Sequence, residues 1–233
     1  MRSRFLRLPW LESYRRRRQL FSCRRQVEHA GIWFVDIPRT GSTSLKLALA
    51  EHFGSEFGKS YVREDNRLTE KVIPDHTTAM RAQQILSPEL WKRLFTFTIV
   101  RNPWQRFHSL FRYRIANQEI PNEFSFIEYL RLLERKNTRH PYSPFALPLF
   151  YRPMCDFIFD GKDNQLVNYI GRFEEMSPVV AKLQEKLGID LAPVQKAEVL
   201  SQPGDYRQTY TPEGVEIIAR SYRDDIERFN YLF

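Results

Sequence analysis

Residues 32–45, Ile-Trp-Phe-Val-Asp-Ile-Pro-Arg-Thr-Gly-Ser-Thr-Ser-Leu, constrain the fold more than any other stretch of this chain. An apolar run from Ile32 to Ile37 stops at Pro38, and Arg39-Thr40-Gly41-Ser42-Thr43-Ser44 follows. Helical spacing then begins, with Leu45, Ala48, Leu49 and Phe53 on one face and Gly54 as a natural stop. The pattern predicts a buried strand over 32–37, a tight hydroxyl-rich loop and a helix over 44–53. Such a junction makes an anion site: the loop offers backbone N–H groups, the helix its positive end and Arg39 a full charge. It suits a phosphate or sulfate group, and so chemistry on a nucleotide-type donor.

The net charge of +8 must be located before it is interpreted. Residues 1–25 hold nine arginines and one acid, Glu12, which leaves 27 basic and 27 acidic side chains in the rest of the chain. The basicity therefore belongs to an N-terminal arm, expected over residues 1–28, and the body over 29–233 is balanced. This argues against nucleic acid as a partner of the body. Phe5, Leu6, Leu8, Trp10, Leu11, Leu20 and Phe21 interleave the arginines, a pattern suited to an anionic membrane surface or an acidic partner. No apolar stretch approaches the ~20 residues of a membrane span, and no secretory apolar region is evident. The expected location is cytoplasmic, with peripheral membrane contact through the arm. Cys23 and Cys155 make no disulfide framework, and no Cys/His spacing suggests a metal site.

Beyond the arm the chain reads as α/β. Ser87-Pro88-Glu89 opens a short helix through Leu94, and Phe95–Val100 reads as a second core strand. Asn102-Pro103 turns the chain into a helix over 104–115 with Trp104, Phe107, Leu110 and Phe111 inward. Residues 121–150 read as an irregular aromatic cap around a helix over 125–134. Cys155–Phe159 is expected as another strand, 177–187 as a helix ended by Gly188, and Thr211-Pro212-Glu213 as the start of a final helix.

The first loop is not that of a nucleotide hydrolase. Such a loop needs two glycines and then Lys-Ser/Thr, whereas this loop has Gly41 alone and no Gly-Lys pair directly behind it. The second strand ends in Val100-Arg101, where magnesium chemistry would want an acid. A donor handled without a metal is expected. Arg101 stands where ligands gather in open α/β sheets, and Ser109 lies about two helical turns further on, with Arg106 between them. A guanidinium and a hydroxyl can grip a second phosphate from two directions.

IPRTGSTSL resembles the 5′-phosphosulfate loop of sulfotransferases, and IVRNPWQRFHSLFRYR resembles their 3′-phosphate motif. LSPELWKRLFTFTIVRNPWQRF is similar to a run in bacterial and Golgi-type carbohydrate sulfotransferases. The likeness extends through Gly171-Arg172-Phe173-Glu174 to the C-terminal stretch Arg228-Phe229-Asn230-Tyr231-Leu232-Phe233. The resemblance implies a central parallel sheet flanked by helices, a P-loop-like nucleotide-binding fold. It also implies 3′-phosphoadenosine-5′-phosphosulfate as donor, no metal, and an acceptor hydroxyl, most simply on a carbohydrate. Arg39, Thr40, Gly41, Ser42, Thr43 and Ser44 would hold the 5′ end of the donor, and Arg101 and Ser109 its 3′-phosphate. The family usually carries Lys at the position of Arg39; Arg stays charged and binds in a bidentate way, but cannot donate a proton.

An acceptor hydroxyl needs a base. His76, in Pro74-Asp75-His76-Thr77-Thr78-Ala79, resembles a catalytic His-x-Thr-Ala setting, and neutral imidazole suits the task near pH 7. Asp75 either orients His76 or is itself the base. Two rival readings stand beside this one: an ATP-dependent small-molecule phosphotransferase, and a non-enzymatic adaptor that binds membrane or nucleic acid through the basic arm.

Overall fold

Three short parallel strands carry this fold, and their side-chain alternation divides the core into two layers. The computed structural model describes residues 9–53, 61–64, 67–70, 75–136, 148–191 and 205–233. In chain order the first half runs α1 (Pro9–Ala30), β1 (Ile32–Val35), α2 (Ser42–Phe53), β2 (Tyr61–Glu64), β3 (Arg67–Glu70), α3 (Ala79–Leu86), α4 (Pro88–Arg93), β4 (Phe95–Val100) and α5 (Pro103–Ala116). Then follow α6 (Phe126–Lys136), α7 (Cys155–Ile158), β5 (Tyr169–Arg172), α8 (Met176–Leu187), α9 (Pro212–Ser221) and α10 (Arg223–Arg228). The central sheet has the order β1-β4-β5, while β2 and β3 form a separate antiparallel pair. Ile32 stands opposite Phe95, and Phe97 opposite Tyr169.

Alternate residues of each strand face opposite layers. Ile32 and Phe34 of β1 and Phe97 and Ile99 of β4 pack with Leu45 and Leu49 of α2 and Val179 and Leu183 of α8. Val35 and Val100 face the other way, toward Leu86 of α3, Phe107 and Leu110 of α5 and Ile217 and Ile218 of α9. Gly171 lets α8 lie close on β5, because a β-carbon there would overlap the Val179 side chain. The parallel, helix-flanked α/β architecture expected from the sequence is the one observed.

Local signals set most of the boundaries. The expected strand over 95–100 coincides with β4. The Asn102 carboxamide accepts from the backbone N–H groups of Trp104 and Gln105, and so opens α5. Gly188, in the left-handed region at φ 63°, closes α8. The strand expected over Cys155–Phe159 is instead the short helix α7. There the buried Asp225 carboxylate accepts from the N–H groups of Met154 (2.7 Å) and Cys155 (2.8 Å), and this tertiary cap overrides the strand-like composition. The third strand is β5, and the helix expected near the C-terminus is two helices that break at Tyr222.

The end of α1 belongs to the body. Val27 is buried in the core, and the Arg24 guanidinium donates to the Ile85 carbonyl at 2.6 Å. The helix runs without a break through residue 28. Arg17, Arg18 and Phe21 are exposed along it. Among the described residues, no helix is long and apolar enough to cross a membrane.

The segments that end at the C-terminal edge of the sheet are held by Arg106 of α5, only 1% exposed. Its guanidinium donates to the carbonyls of Pro38 (3.0 Å), Arg152 (3.0 Å) and Phe150 (3.3 Å). Arg106→Met would fill much of the volume but leave three carbonyls without this donor, that of Pro38 buried and those of Arg152 and Phe150 partly buried, each costing about 1–3 kcal/mol where water cannot substitute. A loss of roughly 3 kcal/mol or more is expected in urea unfolding; a change below about 1 kcal/mol would show that the carbonyls find other partners.

Candidate active site

The loop after β1 is shaped by two left-handed residues, Arg39 at φ 65° and Gly41 at φ 83°. Between them Thr40 is buried, and its hydroxyl donates to the Ile37 carbonyl at 2.9 Å. Gly41 is required twice over: its φ suits glycine, and a β-carbon there would overlap the Phe173 ring. Ser42 opens α2 two residues earlier than the expected 44; Ser42 is buried, Thr43 exposed and Ser44 half-buried.

Arg39 and Arg101 come together. The Arg101 guanidinium donates to the Arg39 carbonyl (3.2 Å) and to the Gln105 side chain (3.1 Å), and lies 4.0 Å from the centre of the Phe173 ring. Arg39 donates to the Ser109 hydroxyl at 2.9 Å and lies 4.6 Å from the centre of the Tyr113 ring. No carboxylate is among these contacts, and the buried Nε of Arg39 has no partner among the described residues. Burial first, and then repulsion from Arg39, push the Arg101 pKa down to about 10. Burial lowers that of Arg39 as well. Two guanidiniums near enough to repel each other, with no carboxylate hydrogen-bonded to either among the described residues, suit a multiply charged anion.

Glu174 supports the edge from behind. It accepts from the Asn102 backbone N–H at 2.7 Å and from the Tyr231 hydroxyl at 3.1 Å. The Asn102 carboxamide donates to the Leu232 carbonyl at 2.8 Å. The stretch 171–174 and the residues near the C-terminus therefore meet behind the loop, at the sheet edge where ligands gather.

His76 also reaches this edge. Its Nδ1 lies 3.0 Å from the Asp36 carbonyl oxygen and 3.3 Å from the Asp36 carboxylate. That carboxylate accepts from Lys46 Nζ at 2.6 Å. Burial works against the charge of Asp36, but hydrogen bonding and attraction from His76 and Lys46 prevail and hold its pKa at about 2. Burial likewise opposes the charge on His76, yet Asp36 prevails and raises its pKa above 6.5. The imidazole meets the Phe150 ring edge-on at 5.6 Å, and Phe150 lies parallel to Tyr113 at 6.4 Å. The line His76–Phe150–Tyr113–Arg39 thus joins the imidazole to the anion loop. His108, by contrast, is pushed down to about pH 4 by burial and by the charges of Arg112 and Arg101.

Of the residues expected from the sequence, Arg39, Thr40, Gly41, Ser42, Arg101 and Ser109 share this edge, and His76 is linked to it through Asp36. Asp75 is half-buried beside His76. Residues 137–147 of the expected aromatic cap, His140 among them, lie outside the described residues. Sequence reasoning missed Asp36, Lys46, Phe150 and Tyr113. Asp36 carried a signal: an acid just before the loop stands at a strand end, where ligands gather in open α/β sheets.

No curated protein matches the chain significantly. A crystal structure of mouse sulfotransferase SULT7A1 complexed with PAP is similar at 17% identity, over 85% of this chain and 84% of that one, with a TM-score of 0.45. Residues 25–232 match the family described as the Sulfotransferase family, which takes in the whole sheet edge just described, so the chain belongs to the sulfotransferase family.

Proposed function

We propose that the chain transfers a sulfuryl group from 3′-phosphoadenosine-5′-phosphosulfate to a carbohydrate hydroxyl. The observation that carries the donor assignment is the pair Arg39 and Arg101, drawn together with no acid hydrogen-bonded to either among the described residues, Glu174 acting on Arg101 only from further off. A donor with phosphate groups at both its 3′ and 5′ positions supplies the counter-charges such a pair lacks. In this reading Arg39 and the N–H groups of the loop and α2 hold the phosphosulfate, while Arg101 and Ser109 hold the 3′-phosphate. The Phe173 ring supports the Arg101 guanidinium from one face.

The donor supplies an activated sulfur–oxygen bond. The acceptor oxygen bonds to sulfur as His76 takes the hydroxyl proton, and the electron pair of the breaking bond leaves on the 5′-phosphate. Arg39 and the loop N–H groups stabilise that charge, and holding both reactants in line does much of the rest. Support for a sugar acceptor comes from Tyr113 and Phe150, half-buried rings between His76 and Arg39, because aromatic faces suit the apolar face of a pyranose.

Thermal shift tests the donor assignment. Adenosine 3′,5′-bisphosphate is expected to stabilise the protein more than ADP with magnesium; a response to ADP–magnesium alone would give the fold to a phosphotransferase. Arg101→Ala should weaken bisphosphate binding by roughly 1.5–3 kcal/mol in calorimetry, the scale of a charged hydrogen bond. Unchanged affinity would remove Arg101 from the donor site.

His76→Ala should cut turnover by about 10²-fold or more while bisphosphate binding stays unchanged. Because a base must be neutral and Asp36 raises the His76 pKa, turnover should climb with pH through a limb above 6.5. A fully active variant, or a limb well below that value, would reassign the base, with Asp75 the next candidate.

A further inference from the structure

The imidazole of His76 is held from one side. Nδ1 faces two oxygens of the same residue, the carbonyl of Asp36 at 3.0 Å and its carboxylate at 3.3 Å. Both can only accept, so the proton of the neutral ring belongs on Nδ1. That leaves Nε2 as the acceptor, the atom a base must present. We propose that Asp36 is a positioning residue that fixes His76 in the Nδ1–H tautomer with Nε2 free to take a proton, and that Lys46 trims its influence. This deepens the assignment of His76 as base and rests on it.

Three further observations support the arrangement. Asp36 is 8% exposed, so its charge acts on the ring with little screening by water. One of its carboxylate oxygens, Oδ1, has no partner among the described residues, so the carboxylate is not saturated by structural hydrogen bonds. His76 sits at φ 57°, a left-handed conformation costing a non-glycine residue on the order of 1 kcal/mol, which its grip on Asp36 helps to hold. Five other non-glycine residues among those described (Arg39, Ser87, Gln118, Asp163 and Asn230) share positive φ, so the backbone conformation supports the inference without carrying it.

The charged groups that act on the imidazole are Asp36 at the end of β1 and Lys46 on α2, with the uncharged Phe150 ring edge-on from the segment 148–151. Their signs oppose each other. Asp36 favours the imidazolium, whereas Lys46, 2.6 Å from the same carboxylate, disfavours it both directly and by offsetting the Asp36 charge. Without Lys46 the ring would be protonated over more of the neutral range and would be a base less often. Without Asp36 it would be neutral more readily, but would no longer be fixed in tautomer.

Two variants read these effects in opposite directions. The His76 pKa, followed by imidazole NMR in the full chain, should fall in Asp36→Asn and rise in Lys46→Met, each by about one unit. The neutral ring of the wild type should show its proton on Nδ1 in long-range ¹H–¹⁵N spectra. The pH limb of turnover should follow both shifts. Lys46→Met keeps the Asp36–His76 contact, so it remains informative should Asp36→Asn fail to fold. A wild-type ring protonated on Nε2, or a His76 pKa unmoved by either change, would overturn the inference and leave sulfuryl transfer intact. A pKa that moves while the turnover limb stays would take the base role from His76, and the inference with it. Loss of bisphosphate binding by the wild type would instead count against the donor assignment alone.

Discussion

A single buried cation holds the two ends of the candidate site in register. Arg106 is almost wholly buried, and no acid is hydrogen-bonded to it among the described residues; three backbone carbonyls solvate it, and Asp225 favours its charge from further off. Burying a guanidinium is costly unless its donors are used, and here the donors are spent on segments far apart in sequence. The Pro38 carbonyl opens the turn that places Arg39. The Phe150 carbonyl belongs to the residue whose ring meets His76. The same side chain therefore sets where the anion loop begins and where the neighbour of the imidazole lies.

A second tie works from the far strand. Gly171 lets α8 settle on β5, which brings Phe173 against Gly41 and Arg101, and Glu174 against Asn102 and Tyr231. Each contact alone is modest. Together they tie the loop, the end of β4 and the C-terminal residues to one another, since any one of them displaced would expose the Phe173 ring or strand the Glu174 carboxylate. Such ties suit the proposed site for two separated phosphates, where the spacing of Arg39 and Arg101 is best set before the ligand arrives.

Legibility in the sequence followed how local each signal was. The strand over 95–100, the Asn102 cap and the Gly188 stop are written in adjacent residues, and the structure has them where periodicity and capping place them. The helix at Cys155 is not local: Cys-Asp-Phe-Ile-Phe reads as strand, and only the carboxylate of Asp225, 70 residues on, turns it into a helical turn. In the site, Arg39, Gly41, Arg101 and Ser109 were legible because motif spacing reports them. Asp36 and Lys46 were not, because their meaning depends on one another and on a histidine 40 positions away from Asp36. Arg106 was legible only as a charge between two motifs; that it is buried and spent on carbonyls could be known only from the packing.

The replacement of the family's usual lysine by Arg39 fits this frame. A lysine is a compact point charge on a flexible stem, whereas the planar guanidinium can lie over the Tyr113 ring while donating to Ser109. The exchange gives up any proton transfer from that position. In the proposed reaction this costs little, because the departing group is a phosphate, already a weak base, and needs stabilising charge more than a proton. The demand for a titrating group then falls wholly on the acceptor side. There the structure has an imidazole, an acid that raises its pKa and a lysine that restrains the effect. Burial and Arg39 bring the Arg101 pKa down only to about 10, well above neutral pH, so in the proposed reaction pH can act on the base while Arg101 keeps its charge.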